Sequence, residues 1–399
     1  MNTGNYIKPL NGLRAIAIIL VLLYHSIVNI EDYALILTQG EYFSLKHLIF
    51  SGWVGVDLFF VLSGFLIGSK LISDNIDFTY LKNFAIKRFF RIAPAYYFSA
   101  TLTLIRVKLV PTLLTGGLMQ TIKLFSLPFL AHILFIQDYV WSKPEIDWVF
   151  WSIPIEMKFY LVLPFIVLAI KPIKKLEIKI LILVAGYILY LILKTRIIDT
   201  IFGNTPVNIF EFSYFARLPF HLSLDGLWMG VICAYYSKTA HYKNLGRTFT
   251  NILCCAGISI FFILATYVYA FTKDQIILSV FEQKYKVALI SLSFSIILLA
   301  SVRGCFLSDC LNNKILAFIA KISYSLYLTH VFGMMLNDLL LKNLIQHFES
   351  FIICWMIAFP IYFGFCLIPA YLLHELIEMP CLKYAKQKLV KKRPDNETI

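Results

Sequence analysis

The chain has 399 residues, of which 59% are hydrophobic and only 15% are charged. Its mean hydropathy is +0.76, and a soluble domain of this length could not bury so much apolar surface beneath a polar exterior. A formal net charge of +13 would by itself suggest a protein that binds nucleic acid. Here the basic residues lie mainly in alternate loops between apolar runs, which is typical of a membrane protein.

Apolar runs of about 20 residues, the length that crosses a hydrocarbon core of ~30 Å, recur along the whole chain. They predict an all-α integral membrane protein with about ten transmembrane helices, at residues 12–30, 52–72, 92–110, 148–170, 178–195, 216–236, 249–271, 285–303, 313–336 and 351–374. A further apolar stretch at 121–136 is shorter and partly polar. It is predicted to be a re-entrant or interfacial segment.

The distribution of lysine and arginine predicts the orientation of these helices. With the N-terminus in the cytoplasm, the loops on that side hold most of the basic residues, as the positive-inside rule requires. Both termini are then cytoplasmic, with 1–380 forming one transmembrane domain and 381–399 a basic cytoplasmic tail. Membrane lipid is an expected partner and nucleic acid is not. The eight cysteines show no C-x-x-C pair and no zinc spacing, so no metal site is expected.

Ionisable residues inside the predicted spans are candidate functional groups, because they are costly in lipid and tend to face a cavity or a partner. Arg14 opens the first span, and His25 lies eleven residues later, which is about 16 Å and close to three helical turns. Both side chains therefore project from nearly the same helix face. This spacing predicts a path with a cation at its cytoplasmic mouth and an imidazole near its outer end.

Acidic and histidine residues of other spans are predicted at the depth of His25. Asp57 and Glu156 lie near the outer ends of the second and fourth spans. A carboxylate beside an imidazole fixes its tautomer and supports the imidazolium, so these three residues are the candidate catalytic group. Further residues in the same outer third are candidates on the substrate side: His221, Asp225 and His330.

A basic cluster precedes the third span. Arg88 and Arg91 are three residues apart and share a helix face. Guanidinium groups bind phosphate bidentately, so these two residues are predicted to bind a phosphate-bearing donor that enters from the cytosol. Arg14 and the neighbouring Lys87 are included in the same predicted binding site.

Each candidate also has a structural interpretation. An intramembrane histidine or aspartate can simply hydrogen-bond between helices, and Glu156 can cap backbone groups freed by Pro154. The two arginines before the third span can be topology anchors, and the outer residues can be rim or packing groups. The shared face of Arg14 and His25 favours the functional interpretation.

The order of these motifs resembles the membrane acyltransferase family 3. The resemblance extends in order along nearly the whole chain and rests on these segments: Leu10–Ala17 with His25, Gly55–Ile67, Arg88–Arg91 before Pro94, Trp151–Glu156 with Phe159–Leu161 and Pro164, Ser323–His330, and Glu378–Pro380. One departure is that Ile153 and Pro154 follow the Trp-Ser pair, where the family commonly has Leu after Ser.

The resemblance implies an O-acetyltransferase that moves acetyl from cytosolic acetyl-CoA to a hydroxyl of an extracytoplasmic glycan. It implies His25 as the catalytic residue, with Arg14, Arg88 and Arg91 in donor binding. Many relatives carry an additional hydrolase-like domain. The end of this chain soon after the tenth span predicts instead the stand-alone type, which acts in the bacterial inner membrane on lipopolysaccharide O-antigen or a similar polysaccharide.

Two questions stay open at the level of sequence. His25 can act as a general base towards the acceptor hydroxyl or can carry the acetyl group itself. The same charged residues also suit a transporter of a glycan or acyl donor. Such transporters often consist of repeated halves, and no internal repeat is evident in this chain.

Overall fold

The computed structural model describes residues 8–28, 45–106, 127–140, 148–266, 270–271 and 276–390. Most of these residues are helical. The α-helices, in chain order, are α1 (Lys8–His25), α2 (Leu45–Phe50), α3 (Gly55–Ser73), α4 (Phe78–Leu104), α5 (Leu127–Ile133), α6 (Gln137–Val140), α7 (Ser152–Ile170), α8 (Leu176–Phe202), α9 (Ile209–Phe212), α10 (Asp225–Tyr236), α11 (Ala240–Lys243), α12 (Arg247–Thr266), α13 (Val287–Arg303), α14 (Phe306–Leu311), α15 (Lys314–Thr329), α16 (Val331–Ile345), α17 (Phe351–Leu373) and α18 (Met379–Val390).

Other helical turns connect these elements. The 3-10 turns are Ser51–Val54, Trp148–Trp151 and Phe220–Leu222. The π-helical turns that lie entirely within the described residues are Ser213–Arg217, Glu282–Lys286 and His374–Glu378.

A small antiparallel sheet departs from the predicted all-α fold. Its strands are β1 (Val207–Asn208), β2 (Ala270–Phe271) and β3 (Ile276–Leu278), and β3 lies in the middle. In the register of the sheet, Val207 pairs with Leu278 and Ala270 pairs with Ile277. The strands are too short to form a core of their own, and β3 instead buries Ile276 and Leu278 within the helical core.

Among the described residues, six helical segments are long and apolar enough to cross a membrane. They are Leu45–Ser73, Val149–Ile170, Leu176–Phe202, Arg247–Thr266, Glu282–Arg303 and Phe351–Lys388. A seventh crossing results if α15 and α16, which are bent by 78° relative to each other, count as one span. The predicted number of about ten is therefore not confirmed. Helix α1 is apolar but shorter, and α10 has only 12 residues.

The predicted span 216–236 is interrupted by a proline. Its first part forms the end of a π-helical turn and then a 3-10 turn, and the α-helix begins only at Asp225. Pro219 lies between the two turns and has no backbone N–H to donate, so an α-helix cannot continue through it. The sequence prediction of one continuous helix was wrong here.

The predicted span 313–336 is bent at His330, between α15 and α16. The His330 ring donates from Nδ1 to the carbonyl of Tyr327 at 2.7 Å. In a continuous α-helix that carbonyl accepts from the backbone N–H of residue 331. The side chain thus takes an acceptor that the helix would otherwise use.

The predicted re-entrant or interfacial stretch 121–136 is described only from Leu127 onward. Its helix α5 has 7 residues, which is too short to cross a bilayer. The buried ring of His132 bonds the hydroxyl of Tyr96 in α4 at 2.6 Å, so α5 packs against α4. Other parts of the predicted spans and of the predicted tail lie outside the described residues, namely 29–30, 107–110, 121–126, 267–269 and 391–399.

Glycines let the helices around α3 pack closely. A Cβ at Gly55 would lie 2.3 Å from the carbonyl oxygen of Ala17 in α1, and a Cβ at Gly230 of α10 would lie 2.3 Å from that of Val61 in α3. Small residues at such contacts allow two helix backbones to approach. As a result, α3 lies between α1 and α10, and the beginning of α3 packs beside α1.

The predicted tail 381–399 begins inside helix α18. This helix follows the last π-helical turn and packs against α4, with the rings of Phe90 and Tyr384 at a centroid distance of 5.7 Å. The proposed division of the chain at residue 380 remains a prediction.

Candidate active site

Two adjacent cavities contain five of the ten predicted site residues. The histidine cavity has a volume of about 350 Å³, and its wall includes His25, Trp53, Trp151, Arg217, Glu282 and Lys286. The arginine cavity has a volume of about 120 Å³, and its wall includes Arg14, Ser63, Arg88, Arg91, Glu156 and Tyr160. Val56 and Tyr327 line both cavities. We call the boundary formed by these two residues the neck.

His25 is the last residue of α1 and is 6% exposed in the wall of the histidine cavity. Its Nδ1 donates to the carbonyl of Val21, one turn earlier, at 2.8 Å. This hydrogen bond places the ring proton on Nδ1 and the lone pair on Nε2, which is the form of imidazole that can accept a proton. Within the described residues, the backbone of the same helix therefore fixes the tautomer, a role that the sequence analysis predicted for Asp57 or Glu156.

His330 lies directly against His25, with ring centroids 4.6 Å apart. It is fully buried, and its Nε2 has no hydrogen-bond partner among the described residues. Of the three residues predicted on the substrate side, this one contacts the candidate catalytic histidine. His330 is the residue between α15 and α16, at the 78° bend.

Asp57 pairs with Arg217, a residue that the sequence analysis did not single out. The Arg217 Nη2 donates to Asp57 Oδ2 at 2.6 Å, and both side chains are buried. The guanidinium group also lies over the rings of Trp53 and Trp151, at 5.5 and 4.9 Å from their centroids. Asp57 therefore holds Arg217 in the wall of the histidine cavity, and the predicted contact between Asp57 and His25 is replaced by this pair.

A second buried ion pair lines the same cavity. Lys286 Nζ lies 3.2 Å from Glu282 Oε1, and the backbone N–H and hydroxyl of Ser279 both donate to Glu282 Oε2 at 2.9 Å. The sequence analysis did not single out either of these residues. Their i, i+4 spacing beside apolar neighbours is the signal that would have found them.

The three arginines that the sequence predicted at one mouth line one cavity. The guanidinium group of Arg88 lies 5.4 Å from the ring centroids of both Phe84 and Tyr160. Arg14 lines the wall from α1. Lys87, which was predicted as part of the same binding site, is exposed and does not line the arginine cavity.

A buried carboxylate orients the third arginine. Arg91 forms an ion pair with Glu378, which is fully buried at the end of the last π-helical turn. The same carboxylate accepts hydrogen bonds from the hydroxyl of Ser325 at 2.7 Å and from Nδ1 of His374 at 2.9 Å. Three donors therefore fix Glu378, and it in turn fixes Arg91.

Glu156 lies in the arginine cavity and not beside His25. Its carboxylate accepts hydrogen bonds from the hydroxyls of Ser63 and Tyr160. The start of helix α7 explains this position of Glu156. Ser152 is the first residue of α7, and its hydroxyl forms a 2.7 Å hydrogen bond with the hydroxyl of the neck residue Tyr327. Glu156 follows one turn later, and a turn of ~5.4 Å carries it beyond the neck.

The remaining predicted residues lie outside both cavity walls. Asp225 is buried and pairs with Lys194 at 2.5 Å, with the hydroxyl of Tyr187 donating to it at 3.2 Å. His221 is exposed and stacks on Tyr139, with ring centroids 5.7 Å apart. Partial desolvation lowers the pKa of His221 below its ordinary value. Neither residue contacts His25 in the described part of the chain.

Within the described ranges, no group of three or more His, Cys, Asp or Glu side chains is arranged to hold a metal ion. The ionisable groups of the two cavities are instead held in ion pairs, ring contacts and hydrogen bonds. The chemistry that they support is proton transfer at an imidazole and recognition of anionic groups by guanidinium.

The sequence profile of an acyltransferase domain matches residues 7–375 of the chain. The chain belongs to this acyltransferase family. All the residues named above in the two cavity walls lie within the match.

Curated relatives of this acyltransferase are O-acetyltransferases by name. O-acetyltransferase OatA of Staphylococcus aureus (strain NCTC 8325 / PS 47) is 29% identical over 359 residues, which is 83% of this chain and 51% of OatA. A second protein of Staphylococcus aureus (strain COL), with a provisional O-acetyltransferase name, is 26% identical over 339 residues, which is 82% of this chain and 50% of that protein. The chain thus spans about half the length of the curated relatives it matches. No solved structure matches it.

Proposed function

We propose that the chain is a membrane-embedded O-acetyltransferase, which moves acetyl from cytosolic acetyl-CoA to a hydroxyl of a cell-surface glycan. Family membership and the names of the relatives support the reaction class. Lipopolysaccharide O-antigen is the acceptor we propose. The proposal includes residence in the bacterial inner membrane with about ten crossings and both termini in the cytoplasm, which the alternation of basic loops supports.

The observation that carries the proposal is the relation between the two cavities. Three arginines line one cavity, His25 lines the next, and Val56 and Tyr327 belong to both walls. Guanidinium groups suit the phosphates of acetyl-CoA. The pantetheine arm of this donor is long and thin, so the thioester can approach the neck while the phosphates remain on the arginines.

In the proposed reaction, His25 Nε2 acts as general base towards the acceptor hydroxyl. The acceptor oxygen forms a bond to the thioester carbonyl carbon as its proton passes to Nε2. The carbon–sulfur bond then breaks, and the imidazolium returns the proton to the leaving thiolate. The alternative is that Nε2 itself attacks the thioester, releases CoA and passes the acetyl group to the acceptor in a second step.

The test uses the purified full chain in lipid nanodiscs with labelled acetyl-CoA and a glycan acceptor. Acetyl transfer with release of CoA is expected, and His25→Ala should lower turnover by about 10²- to 10⁴-fold without loss of CoA binding. His241→Ala, which changes an exposed histidine outside both cavities, is the matched control. Full turnover in His25→Ala would refute the mechanism.

The same preparation separates the remaining alternatives. Movement of a glycan or acyl donor across the bilayer without release of CoA would indicate a transporter and end the proposal. Acetylated protein trapped in the absence of acceptor would favour the two-step route. Mass spectrometry of surface glycans from cells with and without the protein identifies the acceptor.

A further inference from the structure

We infer that Arg217 stabilises the negative charge that develops on the thioester carbonyl oxygen during acetyl transfer, and that Asp57 positions it for this role. The inference rests on the proposed function and adds two residues with distinct tasks to it. Arg217 is a catalytic residue in this proposal, because it contacts the reacting carbonyl. Asp57 is a positioning residue, because it acts through Arg217.

The location of the guanidinium group relative to the neck is the first argument. Asp57, which binds it, directly follows the neck residue Val56. The guanidinium group also lies over the ring of Trp151, which directly precedes Ser152. The hydroxyl of Ser152 forms a 2.7 Å hydrogen bond with the hydroxyl of the neck residue Tyr327. The guanidinium group is therefore held at the end of the histidine cavity where a thioester would leave the neck.

The second argument is that the guanidinium group is fixed before any substrate binds. Arg217 is 6% exposed and is held by one carboxylate and two indole rings. It keeps donor capacity, since a guanidinium group has five N–H donors and its Nε has no partner among the described residues. Preorganised donors in a site with little water are the arrangement that stabilises an oxyanion.

The third argument is the charge that each basic residue presents to the histidine cavity. Lys286 and its partner Glu282 both line the cavity, so that pair presents both signs. Arg217 lines the cavity while Asp57 does not. Of the Asp57–Arg217 pair, only the positively charged Arg217 therefore lines the wall of the histidine cavity.

The position of the positive charge fits the electron movements of the transfer. As the acceptor oxygen bonds to the carbonyl carbon, the π electrons of the carbonyl move onto its oxygen, and the proton passes to His25. The electrons return when the carbon–sulfur bond breaks and the thiolate takes the proton from the imidazolium. A cation beside the carbonyl oxygen stabilises the intermediate charge more than the uncharged thioester, so it raises kcat rather than affinity.

The experiment measures steady-state acetyl transfer by Arg217→Met, Arg217→Lys and Asp57→Asn. Loss of one oxyanion donor typically lowers kcat by about 10²- to 10³-fold, and this is expected for Arg217→Met with KM for acetyl-CoA and acceptor changed less than about threefold. Arg217→Lys keeps the charge and should recover part of the loss. Asp57→Asn should lower kcat in the same direction, by a smaller factor.

Lys158→Met is the control, because Lys158 is a cation paired with the buried carboxylate of Asp138 and lines neither cavity. Gel filtration identifies variants that do not fold. If Arg217→Met does not fold, the kcat values of Arg217→Lys and Asp57→Asn test the inference instead. An unchanged kcat with a raised acceptor KM in Arg217→Met would overturn the inference in favour of acceptor binding, and so would an unchanged kcat in both Arg217→Lys and Asp57→Asn if Arg217→Met does not fold. Absence of acetyl transfer in the unmodified protein would overturn the proposed function itself.

Discussion

Replacement of Glu156 by Gln is expected to tighten CoA binding, although Glu156 lies among the candidate functional residues. The carboxylate shares the small arginine cavity with the three guanidinium groups, where it opposes a bound phosphate. A sphere with the volume of the arginine cavity, about 120 Å³, has a diameter of ~6 Å, which we use as the separation of the charges. At that separation and an effective dielectric constant of roughly 20–80, the repulsion between unit charges is about 0.7–3 kcal/mol. This corresponds to about 3- to 100-fold tighter binding in the variant.

The measurement is titration calorimetry of CoA with the unmodified protein and Glu156→Gln in the same nanodiscs. Glutamine keeps the shape and one acceptor oxygen for the hydroxyls of Ser63 and Tyr160, so the change is mainly one of charge. The gain should shrink as salt is raised, because salt screens the repulsion. Glu177→Gln, in which an exposed carboxylate outside the cavities is replaced, is the control. Weaker binding in Glu156→Gln would refute the reasoning, because it would mean that the carboxylate itself contacts the donor.

Two further predictions concern donor binding and packing. Arg88→Gln should weaken CoA binding by about 10- to 150-fold, the equivalent of ~1.5–3 kcal/mol for hydrogen bonds to a charged group. Lys87→Gln changes an exposed residue outside the cavity and should alter the affinity for CoA less than about threefold. An equal loss of CoA affinity in Lys87→Gln and Arg88→Gln would contradict the role of Arg88 in donor binding. Gly230→Ala should lower the free energy of unfolding by roughly 1–3 kcal/mol, and with it the melting temperature, because the new Cβ would lie 2.3 Å from the Val61 carbonyl oxygen. Gly364→Ala meets nothing within 4 Å and should leave the melting temperature unchanged or raised.

The features that could be predicted from the sequence are those set by local geometry. Arg14 and His25 lie on one helix, so their spacing alone fixed a common direction, and each lines one of two adjacent cavities. Arg88 and Arg91 are likewise close on one helix. Apolar runs identified the membrane class of protein for the same reason, because hydropathy is a local property of the chain.

The features that could not be predicted depend on how distant segments pack. The Asp57–Arg217 pair joins residues 160 positions apart, and no periodicity specifies it. Glu156 was misplaced because the start of its helix decides its depth, and an error of one turn is enough to cross the neck. Within the described residues, a proline and a histidine side chain also break helices inside two apolar runs that were predicted as continuous spans, at Pro219 and His330.

The three π-helical turns have a consequence for comparing this chain with its relatives. Such a turn holds roughly one residue more than an α-helical turn, so the residues after it are rotated by about 100° relative to those before. Each of the three ends on a charged residue in or beside a cavity: Arg217, Lys286 and Glu378. In a relative with a single-residue deletion in one of these turns, the charged side chain at the end of the turn would point in a different direction, even if every aligned residue were identical. One-residue gaps at these positions are therefore as informative about the active site as substitutions.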